Sequence, residues 1–279
     1  MKANHRIRSV ALAAICVSLA FAAAARADSA SVWIRDSHSG LRLIAGTNNA
    51  GAETLRAGID ISLAPGWHTY WRYPGDSGVP PRFSFPGSDN VANVEVLYPA
   101  PHAFTDEAGT TIGYKNEVLF PLRIVPRDKG KPVTLHLKAD YAVCEKLCVP
   151  VEASTQLTLA GATSEIDAAL AAAEAQVPKQ VSAAEAGLTV RRVGDGRKPL
   201  ILVDLAVPQG EKVALFVEGP TSEWALPIPK PAQGAPAGHR YFSFEFDGLP
   251  PGVDPKGHFD LTFTIERNHQ PIEVKTHLD

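Results

Sequence analysis

Hydrophobic and polar residues alternate along several short segments, and clusters of Gly, Pro and Asn separate these segments. Residues 134–138 read Thr-Leu-His-Leu-Lys, a period of two that is typical of a strand with one buried face. Six prolines between residues 74 and 101 exclude a long helix there. The first half therefore predicts an antiparallel β domain with long loops. Its strand-like segments are Leu55–Leu63, Asn93–Leu97, Val118–Val125, Val133–Ala139 and Thr155–Leu159.

The pattern then changes to a helical one. Residues 164–175 are rich in Ala and contain neither Gly nor Pro, and Pro178 follows them. Ser164 is a suitable N-cap, and acidic residues fall in the first turn, where the helix dipole favours them. The segment predicts one connecting helix of about 12–14 residues.

Strand-like segments return after Ala186 and predict a second β domain. They are Leu200–Val207, Val213–Val217, Tyr241–Phe246 and Phe259–Glu266, with Pro271–His277 as a candidate last strand and Pro227–Pro236 as a loop. The length of this region suits a small sandwich. We therefore predict an all-β chain with two β-sandwiches, at 28–160 and 187–279, and a short helical linker at 161–186.

The N-terminus has the three-part plan of a secretory signal peptide. Lys2, Arg6 and Arg8 precede an apolar stretch, and an Ala-Arg-Ala sequence precedes Asp28. We expect residues 1–27 to be cleaved, so that the mature protein does not span a membrane. The first 27 residues hold four of the 27 basic residues and none of the 30 acidic ones, which leaves a net charge of about −7. Nucleic acid is therefore not an expected partner.

Export leaves two cysteines, Cys144 and Cys148, because Cys16 departs with the signal peptide. Close cysteines tend to pair in an oxidising compartment, so we expect one disulfide. A tight hairpin with a three-residue loop would bring the two residues together. Because the bridge encloses a short loop, it stabilises little and tends to be reducible. A redox-active pair is therefore the favoured interpretation, beside a structural staple and a metal-binding pair of thiols.

Two other segments are candidates for the surroundings of a site. Residues 66–78 contain four aromatic side chains within seven residues, either a core strand or an aromatic wall beside the thiols. Residues 101–114 are polar and contain Gly, and we expect a long loop there, either a lid or a plain surface loop. None of the nine histidines is expected to bind a metal, and no cofactor is expected. The common hydrolase, metalloprotease and nucleotide-binding motifs are absent from the sequence.

Residues 141–150, Tyr-Ala-Val-Cys-Glu-Lys-Leu-Cys-Val-Pro, resemble the active-site segment of the DsbD N-terminal domain family. Residues 66–78, 98–101 and 112–118 resemble the same domain. The similarity is greatest to the ScsB-type N-terminal region, and this resemblance implies two immunoglobulin-like domains. It also implies a periplasmic shuttle that takes electrons from a membrane-embedded thiol reductase and passes them to periplasmic thioredoxin-fold proteins.

The resemblance assigns roles to individual residues. Cys148 would be the attacking thiol and Cys144 the resolving thiol. A cap loop would correspond to residues 104–114, with the acidic pair of that loop at Asp106 and Glu107. Shielding aromatic side chains would be Phe104 or Tyr114 in the cap, and Tyr70 and Tyr141 near the pair.

The chain departs from the family pattern in two places. It has three residues between the cysteines, where the best-known DsbD proteins have five, and the position of their cap aromatic falls near Ala108. Two other functions stay open from the sequence. One is a non-enzymatic binding module with a structural disulfide, and the other is a copper-stress or copper-binding protein.

Overall fold

The computed structural model describes residues 28–279, except residues 50, 76–77, 107–108, 195, 197 and 268–269. The predicted signal peptide lies outside the described residues. Within them the chain folds into two β-sandwiches, each built from two sheets. The all-β class and the two-sandwich architecture predicted from the sequence are confirmed.

The elements are two helices and nineteen strands within the described residues. The helices are α1 (Ser164–Ala175) and α2 (Ala183–Ala186). The strands are β1 (Ile34–Arg35), β2 (Ser39–Ala45), β3 (Leu55–Leu63), β4 (His68–Gly75), β5 (Arg82–Ser84), β6 (Val91–Val96), β7 (His102–Asp106), β8 (Gly109–Lys115), β9 (Glu117–Pro126), β10 (Thr134–Cys144), β11 (Cys148–Thr158), β12 (Lys179–Val181), β13 (Leu188–Val193), β14 (Leu200–Ala206), β15 (Val213–Glu218), β16 (Lys230–Ala232), β17 (His239–Glu245), β18 (Phe259–Arg267) and β19 (Ile272–Leu278).

The first sandwich packs a sheet of order β1-β2-β3-β9-β6 against one of order β11-β10-β4-β8-β7, with β5 also paired to β10. Alternating side chains from both sheets fill one core, in which Ile59, Phe120 and Leu135 are fully buried. Asn116 has a positive φ of 66° and turns the chain from β8 in one sheet to β9 in the other. Asn tolerates this left-handed conformation better than most residues.

The second sandwich packs β12-β19-β18-β15 against β13-β14-β17-β16. Its pairs are antiparallel except β12 with β19, which run parallel. Val203, Phe263 and Val274 are buried at its centre.

Some segments differ from the sequence expectations. The segment 101–114 was expected to be a loop. It forms the hairpin β7–β8, in which His102 and Gly113 are direct cross-strand partners. Its Gly and Thr residues weaken the alternation of hydrophobic and polar side chains, so the local pattern does not predict strands there. Pairing between the two strands stabilises them instead. The expected loop 227–236 contains the short edge strand β16.

The predicted linker helix forms over residues 164–175, but its cap differs from the prediction. Thr163, not Ser164, is the N-cap, and its hydroxyl accepts a hydrogen bond from the backbone N–H of Ile166. Thr163 keeps an extended backbone with ψ near 157°, while Ser164 is already helical.

The helix α1 packs on β2 and β9 of the first sandwich. Leu170 of α1 is fully buried in this contact, and Arg56 pairs with the half-buried Asp167 and Glu174 of the same helix. The segment 161–186 also holds β12, which joins a sheet of the second sandwich. The predicted linker is therefore a packed segment that contributes to both halves of the molecule.

Strand β4 connects the two sandwiches. The guanidinium of Arg72 pairs with the carboxylates of Glu218 and Glu273 in the second sandwich. Burial lowers the pKa of Arg72, but its hydrogen bonds and attraction to both carboxylates outweigh this, so the pKa lies above its usual value. The Trp71 ring lies 5.9 Å from the ring of Phe216, between centroids.

A second link joins the start of β7 to the second sandwich. His102 Nδ1 lies 2.9 Å from an oxygen of Glu266. The hydrogen bond to Glu266 raises the pKa of His102 above its usual value, against a smaller effect of burial. The β7–β8 hairpin is thus tied to the second sandwich at its base.

Candidate active site

The two cysteines form a disulfide at the tip of the β10–β11 hairpin. Cys144 ends β10 and Cys148 begins β11, the two are direct cross-strand partners, and their Cα atoms are 4.2 Å apart. The three residues between them are exposed, including Leu147 at 75%. The hairpin ladder runs through eleven cross-strand pairs from Thr134 to Cys144, so the disulfide closes an end that is already held by hydrogen bonds.

The two sulfurs differ in their access to solvent. Cys144 is 8% exposed and packs in a small cluster with Tyr70 and Ala142, whereas Cys148 is exposed. Alternation along β10 explains the placement of Cys144. Val143 faces the sandwich core, and its neighbours face the outer side of the sheet. Cys148 is therefore the more accessible residue of the pair.

Tyr70 is in direct contact with the exposed cysteine. Its hydroxyl lies 3.0 Å from Cys148 Sγ, and the side chain is only 2% exposed. Gly78 lies against the ring, where a Cβ would come within 2.4 Å of a ring carbon. The absence of a side chain at Gly78, whose φ is +144°, therefore leaves room for the ring.

His68 is a site neighbour that the sequence did not single out. It is the cross-strand partner of Cys144 between β4 and β10 and is 7% exposed. Its ring meets Tyr70 edge-on at 5.5 Å and Phe104 at 6.0 Å, between centroids. The core-strand interpretation of residues 66–78, with its period of two, places His68 on the same face as Tyr70, and this alternation was the signal that could have identified it.

The predicted cap region is the β7–β8 hairpin. Phe104 lies on β7, half-buried, with Lys115 Nζ 4.3 Å above its ring. Phe104 packs on His68, and Cys148 stays exposed beside this cluster. The backbone of Asp106 pairs with Gly109 at the hairpin tip, while Glu107 lies outside the described residues.

Two predicted aromatic neighbours lie elsewhere. The Tyr141 side chain is on the core face of β10, and its hydroxyl is 2.8 Å from Ser39 Oγ. The Tyr114 hydroxyl donates to the Pro99 carbonyl, and its ring packs edge-on against Phe120. Both residues support the sandwich core, and of the four predicted aromatic side chains the structure places Tyr70 and Phe104 in the cluster around the cysteine pair.

An exposed cysteine bonded to a buried one at a sandwich edge is an arrangement suited to thiol–disulfide interchange. The comparison with protein families agrees with this interpretation of the site. Residues 43–160 match the family model described as thiol:disulfide interchange protein DsbD, N-terminal. This range covers less than half of the chain, but it includes nearly all of the first sandwich and both cysteines. The resemblance predicted from the sequence is confirmed for this region.

The comparison with solved structures extends over both sandwiches. The N-terminal periplasmic domain of ScsB from Proteus mirabilis is 22% identical, with a TM-score of 0.70. The match covers 90% of this chain and 98% of that one. At this identity it shows that the two proteins share a fold. A marsupial T cell receptor, 12% identical, reaches a TM-score of only 0.20, too low to bear on the architecture.

No curated protein sequence matches the chain significantly. Among the described residues, neither helix has the length and apolar character needed to cross a membrane.

Proposed function

We propose that this protein is a periplasmic thiol–disulfide oxidoreductase whose redox centre is the Cys144–Cys148 pair. A membrane-embedded thiol reductase reduces the pair, and the reduced pair passes two electrons to periplasmic thioredoxin-fold proteins. The observation that carries the proposal is the exposed Cys148 bonded to the buried Cys144, because exchange requires access to one sulfur of the pair.

The exchange proceeds in two balanced steps. The Cys148 thiolate attacks the partner's disulfide, forms a mixed disulfide and releases one partner sulfur as a thiolate. The Cys144 thiolate then attacks Cys148 Sγ, which restores the Cys144–Cys148 bond and releases the second partner thiolate. Two electrons pass to the partner, whose thiolates take up protons. The greater exposure of Cys148 supports its role as the attacking thiol.

The energetics of the bridge favour exchange over a purely structural role. In the chain-entropy model, a loop of about five residues stabilises by about 2 kcal/mol, against about 4.7 kcal/mol for a loop of about 100 residues. The eleven cross-strand pairs of the β10–β11 hairpin already hold the two strands together. Reduction can therefore leave the fold in place, as a shuttle requires.

A redox titration tests the proposal. The protein is equilibrated in graded glutathione buffers, and free thiols are counted by alkylation under native conditions. We expect a reversible two-thiol transition between about −180 and −270 mV, where exchange proteins lie. A pair that stays oxidised below about −300 mV, or that reacts only after unfolding in urea, would instead indicate a structural bridge.

The roles of the two cysteines are tested separately. With a single-cysteine thioredoxin, activated as a mixed disulfide with 2-nitro-5-thiobenzoate, as the probe, Cys144→Ser should accumulate a mixed disulfide through Cys148, because neither protein then has a thiol that resolves it. Cys148→Ser should form none at a comparable rate, since Cys144 is buried. Faster trapping by Cys148→Ser would reverse the assignment.

A further inference from the structure

A His-x-Asp triplet occurs on each of two paired strands in the second sandwich. The first is His258-Phe259-Asp260 at the start of β18, and the second is His277-Leu278-Asp279 at the end of β19. The strands are antiparallel, with Asp260 opposite His277 and Phe259 opposite Leu278. Because side chains alternate between the two faces of a sheet, both histidines and both aspartates share one face.

The opposite face of this sheet is the sandwich core, where Leu278 is fully buried and Phe259 is partly buried. The four polar side chains are all exposed. Asp260 and His277 therefore lie on solvent-facing, paired strands, and His258 and Asp279 directly flank the ends of those strands, so the four side chains form a compact cluster.

The nitrogen and oxygen atoms of the cluster converge. His258 Nδ1 lies 3.5 Å and His277 Nε2 lies 3.7 Å from the same oxygen of Asp279. The three ligand-type atoms all lie within 4.8 Å of one another, and the two imidazole rings are nearly parallel. Two ligand atoms bound to one tetrahedral ion at about 2.0–2.2 Å are roughly 3.4 Å apart. The cluster thus needs only small side-chain movements to surround an ion.

Asp260 supplies the partner that ligating histidines commonly have. Its carboxylate lies 2.8 Å from His277 Nδ1, so Nδ1 can donate its hydrogen there and Nε2 is left with its lone pair toward Asp279. A carboxylate on the second ring nitrogen fixes the tautomer and ring orientation of a metal-bound histidine.

We propose that His258, His277 and Asp279 form a binding site for a divalent transition-metal ion, with Asp260 as a positioning residue. Two imidazoles and a carboxylate suit Zn²⁺ and its neighbours better than Mg²⁺ or Ca²⁺, which prefer all-oxygen sites. The three protein ligands leave further coordination positions to water. This site is separate from the cysteine pair, which belongs to the first sandwich.

The proposal is tested by calorimetric titration of Zn²⁺ into the untagged protein, with the disulfide kept oxidised so that no thiol competes. We expect one equivalent to bind saturably, and we expect His258→Ala and His277→Ala each to weaken binding at least about tenfold. Asp260→Asn, which removes no ligand, should weaken it by about 10–100-fold. Excess Mg²⁺ should not displace the Zn²⁺.

His239→Ala is the matched control. His239 is also exposed and also lies beside an aspartate, with its Nδ1 2.7 Å from Asp204, but among the described residues it belongs to no group of three ligand atoms. This variant should bind Zn²⁺ as the unmodified protein does. The absence of saturable binding, or equal binding by the His258→Ala/His277→Ala double variant with folding intact by circular dichroism, would overturn the proposal.

Discussion

The hydroxyl of Tyr70 should raise the reduction potential of the cysteine pair. It lies 3.0 Å from the Sγ of the exposed Cys148, and the Tyr70 side chain itself is only 2% exposed. In the disulfide this is a weak, neutral contact. In the reduced protein the hydroxyl can donate to a Cys148 thiolate, and hydrogen bonds to charged groups are the stronger kind. The contact therefore stabilises the reduced state more than the oxidised one.

The expected size of the effect follows from this difference. A hydrogen bond to a charged group contributes about 1.5–3 kcal/mol, and a neutral one about 0.5–1.5 kcal/mol. The net preference for the reduced state is thus about 1–1.5 kcal/mol. For a two-electron couple, about 1.4 kcal/mol corresponds to about 30 mV. Tyr70→Phe should lower the reduction potential by about 20–30 mV when the thiol is ionised.

The assay is the glutathione titration, carried out near about pH 9, where an ordinary cysteine is largely ionised, and repeated near about pH 6. The shift should be largest at the higher pH, because only the thiolate receives the strengthened bond. Tyr141→Phe is the matched control. Tyr141 is similarly buried, and its hydroxyl contacts Ser39 on the core side of β10, so its loss should cost about 1 kcal/mol of stability without moving the potential. Equal potentials for the two variants, or a higher potential for Tyr70→Phe, would refute this reasoning.

Three further predictions concern the contacts between the two sandwiches and the packing of α1. Arg72→Met leaves Glu218 without its partner in a partly buried position, and it should lower the free energy of unfolding by about 2–4 kcal/mol in urea; no loss would mean that the ion pair does not join the sandwiches. Because Glu266 raises the pKa of His102 above 6.5, that pair stabilises fully below about pH 6.5 and is lost as pH rises through the raised pKa. The urea midpoints of unmodified protein and His102→Ala should therefore converge with rising pH, and a constant gap would contradict this. Leu170→Ala should cost about 2–5 kcal/mol by the same assay, because this side chain of α1 is fully buried against the first sandwich.

The sequence predicted the elements whose information is local. Leu55–Leu63 alternates clearly and forms β3 with the predicted bounds, and residues 164–175 are helical as predicted. The hairpin β7–β8 was missed because its stability comes from pairing between strands that local alternation does not reveal. The cap was misplaced by one residue because Thr163 and Ser164 have equally suitable side chains, and only the backbone conformation distinguishes them.

The site, too, could be predicted from the sequence only where the information is local. The cysteine spacing and the exported context predicted a hairpin disulfide, because a short loop that follows a strand is enough to bring the two cysteines together. The strand register decides which face of the sheet each surrounding side chain occupies. It places Tyr70 beside the cysteines and Tyr141 in the sandwich core. The two His-x-Asp triplets are visible in the sequence, yet they become one cluster only through the pairing of Asp260 with His277.

Strand β4 gives the second sandwich a physical connection to the cysteine pair. Tyr70 contacts Cys148, and the next two residues, Trp71 and Arg72, contact the second sandwich. Adjacent residues of one strand cannot move independently, since they share one backbone, and β4 is paired with β10 at His68 and Thr69 and with β8 from His68 to Tyr70. The contacts that hold Arg72 therefore also restrict the position of the Tyr70 hydroxyl. The second sandwich thus holds, through Arg72, the strand from which the neighbour of Cys148 projects.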